Sequence, residues 1–315
     1  MLNLRKVAVA ARRTDFTWRY LYNLAPSVAY RVKADGLAPE LRAILGRLNR
    51  DGIVVTSVSE LLGAATLFDE LDATVTAREQ ELAPSLADAR RHVDEGGPTG
   101  EKKFIYELLG PLPELDTTSV YARFALQDRL LAVVNAYFGM FVRLREYNVW
   151  RTFACASAPR QSQLWHRDRE DRLILKMFVY LNDIPQGGGP FTYAPGTHQK
   201  GPIRATPEFF DEGRVQRSTD EQMARVVPSD RWIKAVGQKG TIVLADTRGY
   251  HKGGLARTSD RLMYLAMFTS PASESRELLA RTATDYRAPD LARAVALAGP
   301  RRRFWLTLPN PSGRN

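Results

Sequence analysis

The segment Gln163-Leu164-Trp165-His166-Arg167-Asp168 places an imidazole and a carboxylate two residues apart. In extended backbone, residues i and i+2 point to the same face, so His166 and Asp168 can converge on one point. A third ligand must come from elsewhere. His251 is the best candidate, because it follows the strand-like run Thr241 to Ala245 and so sits at a strand end. Two histidines and one carboxylate form a facial triad, which leaves three positions open on a non-haem Fe(II). Cys155 is the sole cysteine, which excludes an internal disulfide and any thiolate cluster. Metal ligands must therefore be nitrogen and oxygen, and the chain has only four histidines: His92, His166, His198 and His251. Taken alone, H-x-D also fits a surface turn with an Asp–His hydrogen bond, so the weight falls on what surrounds it. His92 lies in a polar helical stretch and reads as solvated.

The elements that would position these residues change character along the chain. In the first hundred residues, Leu41, Ile44, Leu45 and Leu48 recur at helical spacing before Asp51-Gly52 breaks the run. Ile53-Val54-Val55 then reads as a strand. Glu79 to His92 reads as a charged surface helix ended by Gly96-Gly97-Pro98, and Arg129 to Glu146 as one long helix with a wide apolar face. After Tyr147, short β-rich runs alternate with Gly/Pro turns: Leu173 to Leu181, Pro190 to Ala194, Thr241 to Ala245 and Leu262 to Phe268. Strands without interposed helices favour an antiparallel sandwich or barrel. Glu274 to Ala298 returns to helical composition. The expected organisation is one catalytic domain: residues 1–146 largely helical with the first barrel strands, 147–270 the β core with the metal site, and 271–315 a C-terminal helical extension.

Composition narrows the function classes. The net charge is +10 with 45 Lys+Arg against 35 Asp+Glu. That balance admits nucleic acid, an anionic membrane surface or an anionic small substrate as partner. The basic residues are dispersed, with small clusters only at Arg12–Arg13 and Arg301–Arg303, and no nucleic-acid module is recognisable. No GxGxxG or Walker pattern follows a strand. No apolar run approaches the ~18 residues of a spanning helix. Val7 to Ala11 is too short for a signal-peptide core, so a cytoplasmic protein is the expectation. Phe16 to Tyr22, flanked by basic residues, either rests on a membrane surface or packs on the barrel.

From Gln163 to Phe268 the chain resembles the phytanoyl-CoA dioxygenase family of Fe(II)/2-oxoglutarate oxygenases. The matching pieces are Trp165-His166-Arg167-Asp168, the strand Lys176 to Asp183, Gly189-Pro190-Phe191-Thr192-Tyr193-Ala194-Pro195-Gly196-Thr197-His198, Gly240 to Asp246, Tyr250-His251-Lys252-Gly253-Gly254 and the downstream Arg261, with a weaker echo at Leu45 to Val55. The resemblance implies a double-stranded β-helix (a cupin-like jelly roll) wrapped by helices, with His166, Asp168 and His251 binding Fe(II). It further implies that Arg261 holds the far carboxylate of 2-oxoglutarate, O2 being the other co-substrate, and that His198 is structural. Because Asp168 is present where related halogenases carry a small residue, halogenation is not expected.

Strand alternation agrees on Arg261. Alternation puts it on one face with Met263, Leu265 and Met267, and an arginine on an apolar face needs an acidic partner, either bound or structural. Arg257, nearer His251, is the competing candidate and reads as a loop residue that touches substrate. Lys176 shares a face with Phe178 and Tyr180 and either meets an anion in the barrel or snorkels to the rim. Gln163 either hydrogen-bonds 2-oxoglutarate or caps the strand. Trp165 walls the pocket or fills core. The long polar connection Pro202 to Gln238 carries Arg204, Arg214, Arg217, Arg225, Arg231 and Trp232, and reads either as a lid favouring an anionic substrate or as a solvated surface excursion. The expected reaction is hydroxylation of an unactivated C–H bond with release of succinate and CO2. Desaturation, epimerisation or ring formation at the same site is the alternative, and a catalytically silent basic binding protein is the alternative of another class.

Overall fold

The structure, a computed structural model, describes residues 14–34, 36–94, 102–212, 215–273, 275–281 and 288–299. The clusters Arg12–Arg13 and Arg301–Arg303, the turn Gly96-Gly97-Pro98 and Arg214 lie outside them. Eleven strands occur among the described residues: β1 (Ile53–Ser57), β2 (Ile105–Glu107), β3 (Arg143–Thr152), β4 (Leu175–Tyr180), β5 (Thr192–Tyr193), β6 (Phe210–Glu212), β7 (Val215–Arg217), β8 (Ile233–Lys234), β9 (Thr241–Asp246), β10 (His251–Lys252) and β11 (Arg261–Thr269). Six form one antiparallel sheet in the order β1-β9-β4-β11-β3-β2; a smaller sheet runs β10-β5-β8, and β6-β7 is a hairpin.

Alternation sorts the large sheet into two faces. Val54, Leu144, Tyr147, Val149, Met177, Val179, Leu244, Tyr264, Ala266 and Phe268 share the main core with the helices Pro39–Asp51, Thr66–Glu81 and Asp128–Phe138. The opposite face supplies Ile53, Phe178, Tyr180, Val243, Ala245, Met263 and Leu265, which meet Phe191 and Tyr193 of the small sheet inside the barrel. This is the mainly β, helix-flanked jelly roll expected. β11 lies in the middle, buried along its whole length, so its inward face delivers Arg261 to the interior.

Three local expectations are corrected. The helix read from Arg129 to Glu146 is Asp128–Phe138 only. Gly139 (φ 66°) ends it in the left-handed conformation, and Arg143–Thr152 is strand β3. The strand therefore straddles the boundary expected at 146/147. The helix read at Glu79 to His92 is two helices, Thr66–Glu81 and Ala83–Arg91, divided at Leu82 with Pro84 in the first turn of the second. In the tail, the described residues are helical only over Leu291–Leu297. Phe16 to Tyr22 is partly a π-helix, Thr17–Tyr22, which buries Trp18 on the main core and leaves Phe16 and Leu21 exposed.

Candidate metal centre

His166 and His251 form a single-rung antiparallel bridge: His166 N–H donates to His251 O at 3.0 Å and His251 N–H to His166 O at 3.1 Å. The bridge extends the small sheet by one segment, since His251 also pairs with Tyr193. The imidazole centroids stand 4.3 Å apart, and Phe191 stacks on His251. His166 Nδ1 lies 2.8 Å from Leu164 O, and His251 Nδ1 lies 3.0 Å from Gly249 O. A carbonyl can only accept, so both Nδ1 atoms carry the proton and both Nε2 atoms keep a lone pair. The Nε2 atoms face Asp168, each 3.9 Å from one of its oxygens, too far for hydrogen bonds. The three ligand atoms lie within 4.8 Å of one another.

The electrostatics suit a metal. Burial holds both imidazoles below the usual histidine range, His166 furthest, so they are neutral. Burial works to raise the Asp168 carboxyl, but the Lys176 ammonium beside it outweighs burial and holds it well below the usual carboxylate range. Two neutral nitrogens and one ionised carboxylate, without sulfur, match a divalent first-row ion. Lys176 reaches the site by touching the carboxylate itself: Nζ lies 2.8 Å from Asp168 Oδ2.

Arg261 is 3% exposed. Its Nη1 donates to the carbonyls of Gly189 and Gly253, Nη2 reaches Thr152 Oγ1 at 3.4 Å, and Nε has no partner. Burial lowers its pKa to about 10, so it stays charged. Among the described residues no carboxylate pairs with it, so none of them is the structural acidic partner. A buried guanidinium without a counterion fits an acidic group supplied from outside.

Other expected residues fall elsewhere. Trp165 points away from the metal point, fully buried against Trp232, and donates Nε1–H to Asp220 Oδ1 at 2.7 Å. Trp232 donates to Val227 O and packs in the same satellite core. Arg204 is exposed and bound to the carbonyls of His198 and Gln199. Arg257 is exposed, on Cys155 O. Gln163 accepts from Arg160 N–H at 3.1 Å, so it caps a turn. His198 Nε2 lies 3.1 Å from Asn49 O, outside the metal group; His92 is exposed.

Two residues at the site went unread in the sequence. Glu146 pairs across Met267 with Lys176, one inward-facing row over three strands. Among the described residues it has no hydrogen-bond or ion-pair partner, and burial pushes it up to about 7. Lys102 places Nζ 5.8 Å from the centroid of Trp150, an inward-facing ring whose Nε1 has no partner. Burial lowers the Lys102 ammonium, and Lys176, Asp168 and Glu146 all act on it.

Residues 68–263 match the model of the family described as Phytanoyl-CoA dioxygenase (PhyH). No curated protein matches the chain in sequence. Among solved structures, EctD from S. alaskensis with bound Fe is 16% identical, covering 85% of this chain and 89% of that chain at a TM-score of 0.50. The epimerase SnoN, in complex with Fe3+, alpha ketoglutarate and nogalamycin RO, is 19% identical over 74% of this chain and 84% of that one, with a TM-score of 0.46. HygX from Streptomyces hygroscopicus, with nickel and 2-oxoglutarate bound, is 18% identical over 75% and 88%, with a TM-score of 0.46.

Proposed function

We propose, on the premise that this chain belongs to the phytanoyl-CoA dioxygenase family of Fe(II)/2-oxoglutarate-dependent oxygenases, that it hydroxylates an unactivated C–H bond of a small metabolite. The observation that carries the reading is the conjunction of a His166–Asp168–His251 ligand set with Arg261, a buried guanidinium with no acidic partner among the described residues. His166 and His251 would present Nε2 to iron and Asp168 a carboxylate oxygen. Arg261 would hold the far carboxylate of 2-oxoglutarate. Iron, when bound, supplies the O2 activation that converts 2-oxoglutarate to succinate and CO2 and delivers one oxygen atom to substrate.

The protein's own part is positional. The backbone carbonyls of Leu164 and Gly249 fix both imidazole tautomers before metal arrives. Lys176 restrains Asp168, and Phe178, Phe191, Met263 and Leu265 keep the interior dry. The substrate is taken to carry an anionic group, supported by the +10 net charge and by Lys102, whose ammonium stands by the inward-facing Trp150 ring. Most of the lid arginines do not supply that support: Arg225 pairs with Glu208, and Arg204 and Arg231 are exposed. Residues 1–315 are taken as a single catalytic domain.

Incubation with Fe(II), 2-oxoglutarate, O2 and fractionated small metabolites tests the reading. Fe(II)-dependent succinate with a product heavier by one oxygen atom is the expected result. A product short of two hydrogens would favour desaturation, and well-folded protein that forms no succinate with any fraction would contradict the reading.

A further inference from the structure

The extended segment that carries His166 and Asp168 has a second face, and that face is basic. His166 and Asp168 point inward, and the intervening and following residues, Arg167 and Arg169, line a cavity of about 200 Å³ together with Arg248, Tyr250, Gln216 and Ser218. The same alternation governs the partner segment, where His251 faces the metal point and Tyr250 the cavity. Three guanidinium groups therefore converge behind the triad.

Their hydrogen bonds are incomplete. Arg167 donates from Nη2 to Thr197 O at 2.8 Å and lies over the Tyr250 ring at 3.8 Å, yet its Nε is buried without a partner. Arg248 donates from Nη1 to the Asp168 carbonyl at 2.6 Å, and its Nε is likewise buried and unpartnered. Arg169 reaches Gln216 Oε1 at 2.7 Å. Other buried-side arginines of this chain have found acids, as Arg143 has Glu277 and Arg151 has Glu79 and Asp260. Among the described residues no carboxylate makes an ion pair within 4 Å of these three guanidinium groups; from these arginines, Asp246 and Glu170 accept only the backbone N–H of Arg248 and Arg169. Asp246 acts on Arg167 and Arg248 from beyond ion-pair contact, and gathering three guanidinium groups around a void with no carboxylate in contact is costly unless an anion fills it.

We propose that this cavity is a binding site for a phosphate-class oxyanion. Forked guanidinium donors suit tetrahedral oxygens, and the Tyr250 side chain adds a neutral polar edge. The volume is below that of a pocket for a whole drug-sized ligand, so the site takes a group: either a free anion or the phosphoryl end of a larger molecule. Arg248 links the two faces, because the arm that would meet the anion also holds the Asp168 carbonyl.

The test starts with metal-free protein, where the oxygenase reading plays no part. Inorganic phosphate is titrated by calorimetry in chloride buffer of constant ionic strength, against wild type, Arg169→Gln and Arg248→Met. Saturable one-site binding, weakened at least ~tenfold in Arg169→Gln, is expected, since losing one charged hydrogen-bond partner costs about a factor of ten or more. Arg248→Met should bind no measurable phosphate while keeping the wild-type circular dichroism. An Arg78→Gln control, whose arginine sits far off on Glu81 and Leu108 O, should bind as wild type. No binding to folded wild type, or equal binding by all variants, overturns the proposal. A second arm identifies the source. Phosphorylated small molecules that perturb the Fe(II)–2-oxoglutarate absorption where phosphate alone does not would mark a substrate handle; phosphate binding without any such effect would mark a free anion. Failure of that absorption in every sample would contradict the proposed function while leaving the calorimetric result standing.

Discussion

His166 and His251, far apart in the chain, exchange both of their backbone hydrogen bonds with each other, so that metal geometry is set by sheet pairing. Each ring is then turned by its own Nδ1–H to the carbonyl two residues earlier, Leu164 for one and Gly249 for the other. The Nε2 lone pairs are left facing Asp168.

It follows that either histidine can be removed without unmaking the bridge, which is backbone. His166→Ala and His251→Ala should fold as wild type by circular dichroism and lose affinity for Mn(II), a redox-quiet stand-in, by at least ~100-fold in calorimetry. Unchanged Mn(II) affinity in either variant would remove that residue from the ligand set.

Arg261 makes a separate prediction. Arg261→Ala should raise the 2-oxoglutarate concentration needed for half-saturation by about 10- to 100-fold, the worth of a charge-assisted hydrogen-bonded pair. Arg261→Lys should recover only part of this, since an ammonium lacks the fork. Wild-type affinity in Arg261→Ala would return Arg257 to consideration.

Much of this was legible because strands have a period of two. His166 with Asp168, and Arg261 with Met263 and Leu265, declare a shared face by spacing alone. What spacing hides is which face is inward and what lies opposite. Of the two readings of Trp165, pocket wall or core, the core reading fits, because Trp165 falls on the other face from His166. Arg204 and Trp232 sit in the right connection, but their partners, the His198 and Val227 carbonyls, are fixed by loop geometry that no periodicity reports. Glu146 was hidden because apolar residues run on from Phe138 through Met140, Phe141 and Val142, a pattern that suits either a helix or a buried strand. The break at Gly139 decides it. Lys102 precedes a three-residue strand with no pattern of its own.

Lys176 and Asp168 give the third prediction. In metal-free protein Lys176→Met leaves a buried carboxylate without its cation, at a cost of about 3 kcal/mol. The variant should melt several degrees lower than wild type, and Mn(II) should restore more of its melting temperature than it adds to wild type. Equal Mn(II) shifts would mean that the ion pair does not restrain the metal ligand.

Glu146 predicts a pH effect with a definite sign. Its carboxyl is raised from 4.5 to about 7, by burial and by Glu107 and Glu170, against Lys176 and Lys102. Between those values the folded chain holds a proton that the unfolded chain has lost, so this group's contribution declines as pH rises through 7. Glu146→Gln removes the decline. Relative to wild type, the metal-free variant should therefore gain about 1–3 kcal/mol in urea unfolding between pH 5 and pH 8. A constant difference across that range would contradict the assignment.

The most direct test of the account is anaerobic addition of Fe(II) and 2-oxoglutarate to metal-free protein, recording the visible iron-to-oxoglutarate charge-transfer band. Wild type should show the band, His166→Ala none, and Arg261→Ala a band only at far higher 2-oxoglutarate. Well-folded wild type without a band, or a His166→Ala protein that retains it, would contradict the account.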